Sequence, residues 1–402
     1  MGEFFTSLYG TTGLIETDWG TVLMWVISGA LLYMGIFKQY EPLLLVPIGF
    51  GVLLANLPTA ELAVVEAGMV HNPDGSLMNL PEIASNYGIL NLLYYSLIKT
   101  GILPPIIFMG VGALTDFGPM LRNLKLAFFG GAAQLGIFTV VILAVLMGYS
   151  LPEAASMGII GGADGPTAIY TTIKLAPHLL GPIAIAAYSY MAMVPVIIPA
   201  VSKLLMKEDE FKIHMRNMDK QFPPKYEIKN LRTVKILFPI VLTLVVSVLV
   251  PSAAPLIGML MLGNLLKEIG ANTARLADAA SGPIMNTATI FLGLCVGATM
   301  PAEMFLRWQT IGILVLGLFA FAISIAGGII VVKIYNKSSA KKINPLVGAT
   351  GLSAVPMASR VANDIALKYD KTNHILQYCM SSNVSGVIGS AVAAGVLIAF
   401  LS

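Results

Sequence analysis

The residues best suited to chemistry are Gly161–Thr167, with the sequence Gly-Gly-Ala-Asp-Gly-Pro-Thr, inside the apolar segment 157–170. Glycine and proline weaken a helix interior, and proline also removes a backbone donor. In lipid, such a break persists only where protein, ions or water satisfy the freed backbone groups. Asp164 is the only charge in the segment, so the pattern predicts a cation site with Asp164 as a ligand. The competing interpretation is a proline-kinked helix in which Asp164 is protonated or acts as a cap.

The composition is that of a membrane protein. Of 402 residues, 56% are hydrophobic and 11% are charged, whereas a soluble domain carries roughly 25% charged residues. Segments 126–149 and 311–332 contain no Asp, Glu, Lys or Arg, and each has the ~20 residues that cross a bilayer. We therefore predict an all-α polytopic membrane protein, with no nucleic-acid partner. Cys295 and Cys379 lie in apolar segments without metal-ligand spacing, which indicates neither a disulfide framework nor a zinc site.

Charge asymmetry predicts which loops face which side. The first two spans are expected at Val22–Phe37 and Leu43–Leu57. The following loop 58–88 has four acids and no Lys or Arg, whereas segment 203–235 has nine Lys/Arg and five acids. An excess of Lys and Arg marks the cytoplasmic side, so 58–88 is predicted outside and 203–235 inside, together with the short basic loop 333–342.

The two halves of the chain resemble each other in the same order. Phe108–Ala113 resembles Phe291–Ala298, 126–149 corresponds to 311–332, and Gly162–Ala168 corresponds to Gly348–Ala354. The loop after 126–149 lacks basic residues and the loop after 311–332 is basic, so the halves are expected to have opposite orientation. This pattern predicts two inverted repeats whose broken helices meet near mid-membrane. The predicted division is a first repeat (1–202), a basic cytoplasmic connector (203–235) and a second repeat (236–402).

The second copy of the motif lacks the charge. Thr350 stands where the first copy has Asp164, and Ser353 stands where it has Thr167. One carboxylate with neutral oxygens suits a monovalent cation better than Ca²⁺ or Mg²⁺, which draw more carboxylates. Tyr190 and Asn383 are polar groups within apolar spans and are expected to have functional partners. Tyr188 is as well explained as an anchor at the membrane interface as by a functional role. Arg360 has a structural alternative too, because it could simply pair with Asp364 four residues later on the same helix.

Several of these stretches together resemble the β-subunit of the sodium-translocating biotin-dependent decarboxylases. They are Gly161–Tyr170 (GGADGPTAIY), Asn344–Gly348 (NPLVG), Ser353–Met357 (SAVPM), Arg360 and Asn383–Ser390 (NVSGVIGS). The family serves complexes that decarboxylate oxaloacetate, methylmalonyl-CoA or glutaconyl-CoA. A carboxyltransferase subunit moves CO₂ to biotin on a carrier domain, and the β-subunit then decarboxylates the carboxybiotin and exports Na⁺. The resemblance covers nearly the whole chain.

The resemblance implies specific site residues. Asp164 is expected to be essential for Na⁺ binding and coupling, and the family's functional tyrosine falls on Tyr190. The full set comprises catalytic Asp164, Tyr190, Ser353 and Arg360; carboxybiotin-binding Arg360, Asn344 and Gly348; and Na⁺ ligands Asp164, Asn383, Ser353 and Thr350. Because arginine is a permanent cation, Arg360 could hold the carboxylate of carboxybiotin.

The resemblance also implies partners and location. The carboxybiotin is presented by a biotin carrier protein or domain and is not bound covalently to this chain. A carboxyltransferase subunit and a small membrane subunit complete the complex, with a homotrimer of this chain in the bacterial inner membrane. The alternative function is a secondary Na⁺/H⁺ antiporter or Na⁺-coupled solute transporter without chemistry, because broken helices and repeats fit it equally well.

Overall fold

The computed structural model describes residues 16–402, apart from residues 66, 73–75, 77, 163, 223–227, 229 and 355. Parts of the predicted outer loop and connector therefore lie outside the described residues. In the described part of the chain the regular structure is helical, without β-strands. The prediction of an all-α membrane protein is confirmed.

The first half contains eleven α-helices among the described residues, and several begin with proline at the first turn, where its missing N–H costs nothing. They are α1 (Trp19–Ile36), α2 (Pro42–Ala55), α3 (Leu80–Leu93), α4 (Leu103–Leu114), α5 (Gly118–Arg122), α6 (Leu124–Ala132), α7 (Leu135–Leu146), α8 (Leu151–Gly158), α9 (Gly165–Leu175), α10 (Leu180–Ala192) and α11 (Val194–Leu205). A π-helix (Tyr94–Ile98) precedes α4, and 3₁₀ turns lie at Ala67–Val70, Ile159–Gly162 and Pro177–Leu179.

In the described part of the remaining chain, two short helices occupy the connector and nine helices form the second half. They are α12 (Glu208–Phe211), α13 (Met215–Gln221), α14 (Leu231–Leu249), α15 (Ala254–Ile269), α16 (Ala274–Ala279), α17 (Met285–Ala298), α18 (Ala302–Phe305), α19 (Trp308–Ser338), α20 (Leu346–Ala349), α21 (Met357–Tyr369) and α22 (Leu376–Leu401). A 3₁₀ turn (Pro251–Ala253) precedes α15, and a π-helix (Ala280–Ile284) joins α16 to α17.

Six stretches of the described chain are long and apolar enough to cross a bilayer. They are Trp19–Ile36, Leu124–Leu146, Leu231–Leu249, Ala274–Ala298, Trp308–Ser338 and Leu376–Leu401. Two further candidates are bent pairs, in which α3 with its π-helix meets α4 at 66°, and α10 with its 3₁₀ turn meets α11 at 68°. The chain is thus a multi-pass membrane protein with interrupted spans.

Helix α2 differs from its predicted extent. The expected span Leu43–Leu57 is observed as Pro42–Ala55, a helix of 14 residues. At 1.5 Å per residue this helix is about 21 Å long, which is less than the ~30 Å of a bilayer core. Asn56 ends the helix because its amide turns back to the Val52 carbonyl and also binds the Met300 carbonyl of the second half. The helix is therefore a partial span held by the other half of the chain.

Among the described residues, two of the close helix crossings between the halves involve α2 and α4. Helix α2 lies against α17, and α4 lies against α15. A Cβ on Gly51 would come within 2.3 Å of the Leu294 carbonyl oxygen, and one on Gly112 within 1.9 Å of the Leu260 carbonyl oxygen. Only glycine permits such a backbone approach. Helices α4 and α17 contain the matching segments Phe108–Ala113 and Phe291–Ala298 of the proposed repeats, so each crossing involves one of these segments. Inverted topology itself stays a prediction.

The basic connector and the basic loop 333–342 lie together. Lys333 forms an ion pair with Glu210 at 3.1 Å, and Lys341 forms one with Asp219 at 2.7 Å. The Asp219 carboxylate also accepts a hydrogen bond from the Tyr378 hydroxyl at 2.6 Å. These contacts place both basic segments on the same face of the molecule, as the charge pattern predicts. The connector is partly helical, since α11 extends to Leu205 and α14 begins at Leu231.

A second ionic cluster lies at the end of the connector. Lys235 contacts Asp116 at 2.6 Å and Glu268 at 3.2 Å. Partial burial alone would raise the pKa of Asp116, but hydrogen bonds from Lys235 and from the Gly118 amide outweigh burial and lower that pKa. Asp116 therefore remains a carboxylate that fixes the start of α5 to α14.

The topology is tested by cysteine labelling. Ser76 and Asn217 are both exposed, and the excess of Lys and Arg places Asn217 inside and Ser76 outside. In a cysteine-free background (Cys295→Ala, Cys379→Ala), Ser76→Cys should react with a membrane-impermeant maleimide in intact cells. Asn217→Cys should react only in inverted vesicles. Labelling of both cysteines from one face would contradict the orientation.

Candidate functional site

Asp164 lies between the 3₁₀ turn Ile159–Gly162 and helix α9. Its backbone is extended (φ −125°, ψ 100°), and it is the N-cap of α9. The Asp164 Oδ1 atom accepts a long hydrogen bond of 3.4 Å from the Thr167 amide. Oδ2 accepts a hydrogen bond of 2.6 Å from the Thr167 hydroxyl. Asp164 therefore caps α9, which agrees with the capping part of the competing interpretation from sequence. The N-terminal end of α9 also favours a negative charge on Asp164.

Capping does not give the Asp164 carboxyl group a cationic side-chain partner among the described residues. The side chain is 8% exposed, and no lysine, arginine or histidine within the described chain forms an ion pair with it. A carboxylate has about four acceptor positions, and three hydroxyl or amide donors do not neutralise it. A buried charge of this kind is retained where a mobile cation or a proton can balance it.

The second broken region touches the first directly. The Ser353 amide donates a hydrogen bond to the Gly162 carbonyl at 2.8 Å. The hydroxyls of Ser353 and Ser390 are 2.8 Å apart, and the Ser390 hydroxyl is within donating distance of both Asp164 Oδ2 at 3.2 Å and the Val387 carbonyl at 3.0 Å. Asp164 and Ser353, predicted to be together, thus meet through Ser390, which belongs to α22. We call Asp164, Thr167, Ser353 and Ser390 the carboxylate cluster.

Asn383 and Thr350 form a second oxygen cluster. The Asn383 amide donates to the carbonyls of Thr350 at 3.1 Å and Leu352 at 2.5 Å. The Asn383 Oδ1 atom is buried and has no hydrogen-bond partner in the described structure. The Thr350 hydroxyl bonds to the carbonyls of Val347 and Cys379. Asn383 and Ser390 are seven residues apart on α22, or about 10.5 Å along its axis, so the predicted Na⁺ ligands divide between two clusters.

The tyrosines of α10 occupy different environments. The half-buried Tyr190 donates its phenol hydrogen bond to the Leu314 carbonyl of α19. A Cβ on Gly317 would lie 2.9 Å from the Tyr190 ring and 3.4 Å from Ile160, so Tyr190 lies beside the first break. Tyr188 is fully buried, with its ring against Gly165. Full burial excludes the interfacial-anchor interpretation for Tyr188.

The residues predicted to bind carboxybiotin are not all exposed. Arg360 is exposed on α21, and no ion pair joins it to Asp364 in the described residues. Asn344 is fully buried, and its amide donates to the carbonyls of Phe211 and Ile213, which fixes the connector. Gly348 packs its backbone against Gly328 of α19. The proposed direct roles of these three residues in binding stay predictions.

Two contributors to the carboxylate cluster were not assigned from sequence. Ser390 stands in the sequence only as the last residue of the stretch Asn383–Ser390, and Thr167 only as part of the motif. Seven residues of helix separate Asn383 from Ser390, but this spacing does not show that Ser390 faces Asp164.

The fold and this site define a class: a polytopic membrane protein with a buried carboxylate where two interrupted spans meet. The chain belongs to the family described as the Na⁺-transporting oxaloacetate decarboxylase beta subunit, which matches residues 20–401. It is 48% identical to the methylmalonyl-CoA decarboxylase subunit beta of Propionigenium modestum, over 99% of both chains. It is 46% identical to the oxaloacetate decarboxylase beta chain of Haemophilus ducreyi, over 100% of this chain and 99% of the relative.

A third relative is named for a different substrate. The glutaconyl-CoA decarboxylase subunit beta of Acidaminococcus fermentans is 46% identical, over 98% of this chain and 97% of the relative. The resemblance inferred from the motifs is confirmed. The chain is therefore a multi-pass inner-membrane subunit of a decarboxylase-complex family with other subunits as partners.

The charge of Asp164 is tested through the stability of the protein. Ser390→Ala removes a hydrogen bond to a carboxylate and should lower the free energy of unfolding by about 1.5–3 kcal/mol. The matched control is Ser385→Ala on the same helix, whose hydroxyl binds the neutral Ala127 carbonyl at 2.6 Å and should contribute about 0.5–1.5 kcal/mol. Unfolding in mixed SDS–detergent micelles measures both. Equal losses in the two variants would indicate that Ser390 makes no charged hydrogen bond, either because Asp164 is uncharged or because the Ser390 hydroxyl donates to the Val387 carbonyl.

Proposed function

We propose that this chain decarboxylates carboxybiotin presented by a carrier domain, consumes a proton in doing so, and couples the reaction to Na⁺ export. Membership in the family favours this function over a secondary transporter. The observation that carries the proposal is the buried Asp164 carboxylate, which has hydroxyl and amide donors but no cationic partner among the described residues.

The substrate acid of the complex is selected by another subunit in this proposal. Relatives named for methylmalonyl-CoA, oxaloacetate and glutaconyl-CoA are 46–48% identical to this chain. One membrane architecture thus accompanies three substrates of different size and charge, as expected if carboxybiotin is their common intermediate. The carboxyltransferase subunit selects the substrate acid, and the carrier brings the carboxybiotin to this chain. A small membrane subunit completes the complex. The trimeric assembly is part of the same proposal.

The chemical step requires one proton. The bond between the ureido nitrogen of biotin and the carboxylate carbon breaks, CO₂ leaves, and the nitrogen takes a proton. Tyr190 is our candidate for delivering it, because its phenol lies at the first break. Arg360 is our candidate for holding the carboxylate of carboxybiotin, because its guanidinium is exposed and is not paired with Asp364 in the described structure.

The transport step follows from competition at Asp164. Sodium is a hard cation that favours oxygen ligands, and the carboxylate cluster offers one carboxylate and several hydroxyls. A proton binds the same carboxylate oxygens, so Na⁺ can leave outward and a proton can enter in its place. Moving one charge against 100 mV requires ~2.3 kcal/mol, which decarboxylation must supply by rearranging the two broken regions.

Asp164 is tested by neutralisation. Asp164→Asn keeps the size of the side chain and removes the charge, so it should abolish Na⁺-stimulated decarboxylation and ²²Na⁺ uptake into inverted vesicles. In the unmodified protein, the affinity for Na⁺ should fall as pH decreases, because protons occupy the same oxygens. Asp278→Asn, the same change at an exposed position, should leave both activities intact. Pumping by Asp164→Asn, or a Na⁺ affinity independent of pH, would place the ion elsewhere.

Tyr190 is tested by removing only its hydroxyl. Tyr190→Phe should lower the rate of carboxybiotin decarboxylation by ~10²–10⁴-fold, the usual contribution of a general acid. The control is Tyr95→Phe, because Tyr95 also donates to a backbone carbonyl, that of Val65 at 2.9 Å. Turnover in Tyr190→Phe equal to that of the control would assign the proton to another group.

A further inference from the structure

Gln134 lies at the interruption between α6 and α7, inside the charge-free segment 126–149. It is 7% exposed. Its Nε2 atom is 3.3 Å from the Gly386 carbonyl oxygen and 3.5 Å from that of Gly130. Its Oε1 atom is buried and has no hydrogen-bond partner in the described part of the chain. The side chain is therefore held by its nitrogen while its oxygen is free to accept.

The free oxygen faces the first break. The position that a Cβ would take on Gly162 is 3.7 Å from Gln134 Oε1 and 3.0 Å from Ser390 Cβ. Gln134 and Ser390 thus both lie next to Gly162, and the Ser390 hydroxyl is 3.2 Å from Asp164 Oδ2. On α22, Gly389 makes room for the glutamine side chain, because a Cβ there would lie 3.1 Å from Gln134 Cγ.

A second unpaired oxygen flanks the same break. Ser324 of α19 is fully buried, and its hydroxyl has no partner in the described chain. It lies 3.1 Å from the position of a Cβ on Gly161. In the described chain, the unpaired oxygens of Gln134 and Ser324 therefore lie beside Gly162 and Gly161, the two glycines shortly before Asp164. Capping of helix carbonyls explains the nitrogen of Gln134 but leaves its buried oxygen uncompensated.

We propose that the amide oxygen of Gln134 is a neutral ligand of the transported cation, beside the carboxylate cluster. This inference rests on the proposed function of Asp164 as the charged ligand. An amide oxygen, hydroxyls and one carboxylate form a ligand set suited to a hard monovalent cation. A glutamate at position 134 would supply a second carboxylate and favour a divalent cation, so the glutamine also sets the charge selectivity of the site.

The experiment measures cation binding without turnover. Na⁺ affinity is obtained from the Na⁺-dependent rise of the unfolding temperature of the purified full-length protein, since a ligand that binds the folded state stabilises it. Gln134→Met keeps a long unbranched side chain and removes the amide, and should weaken Na⁺ binding about tenfold, or ~1.4 kcal/mol. Gln377→Met, at an exposed glutamine on the same face as the connector, is the control and should bind Na⁺ normally.

A structural role predicts a different pattern. If Gln134 only caps helix carbonyls, Gln134→Met will lower the unfolding temperature in the absence of Na⁺ and leave the Na⁺ affinity unchanged, which overturns the inference. Normal Na⁺ binding by Asp164→Asn would instead overturn the proposed function. Loss of binding in Asp164→Asn with normal binding in Gln134→Met rejects only the role of Gln134.

If Gln134→Met does not fold, the isosteric Gln134→Glu variant tests whether residue 134 contacts the cation. A second carboxylate at the site should let Ca²⁺ compete with Na⁺ at concentrations about tenfold lower than in the unmodified protein. Ca²⁺ competition equal to that of the unmodified protein would show that position 134 does not contact the cation.

Discussion

The hydrogen bond from the Ser353 amide to the Gly162 carbonyl, at 2.8 Å, is the contact on which this structure depends. Each broken helix exposes backbone groups that lipid cannot satisfy. Here each break supplies partners for the other, and α22 braces both, with Asn383 on the carbonyls of the second break and Ser390 on Asp164. The same contacts that make the breaks tolerable also bring the oxygens together, so stability and ion binding share one set of groups.

Much of the fold could be predicted from the sequence, because lipid imposes strong constraints on composition. The charge-free segments became the span α6–α7 and the helix α19, and the Gly/Pro motif became a break with Asp164 at its end. The 14-residue length of α2 could not be predicted, because its end depends on Asn56 binding the Met300 carbonyl of the distant second half. A contact between residues so far apart in the chain cannot be predicted from the pattern of apolar residues.

The site was predicted less completely than the fold, for a related reason. Residue type pointed to Asp164 and Asn383, since polar groups in apolar spans need partners, and the repeat match pointed to Ser353. It could not distinguish a polar group that faces a ligand from one that supports the backbone. Asn344 shows this: its amide is used to hold the carbonyls of Phe211 and Ile213. Tyr188 is a second example, because its residue type is compatible with a position at the membrane interface, whereas in the structure its side chain is fully buried.

The single charge of the site explains why the halves of the chain differ at this point. In the proposed repeats Thr350 corresponds to Asp164, and its hydroxyl bonds to the carbonyls of Val347 and Cys379. In the proposed mechanism, Asp164 with Na⁺ or with a proton is neutral, whereas the bare carboxylate is a charge in the membrane interior. A rearrangement with the bare carboxylate is therefore disfavoured by desolvation. A second acid at position 350 would leave a charge behind after one Na⁺ had bound. One carboxylate thus allows movement when the site is filled and opposes it when the site is empty, which is the condition for tight coupling.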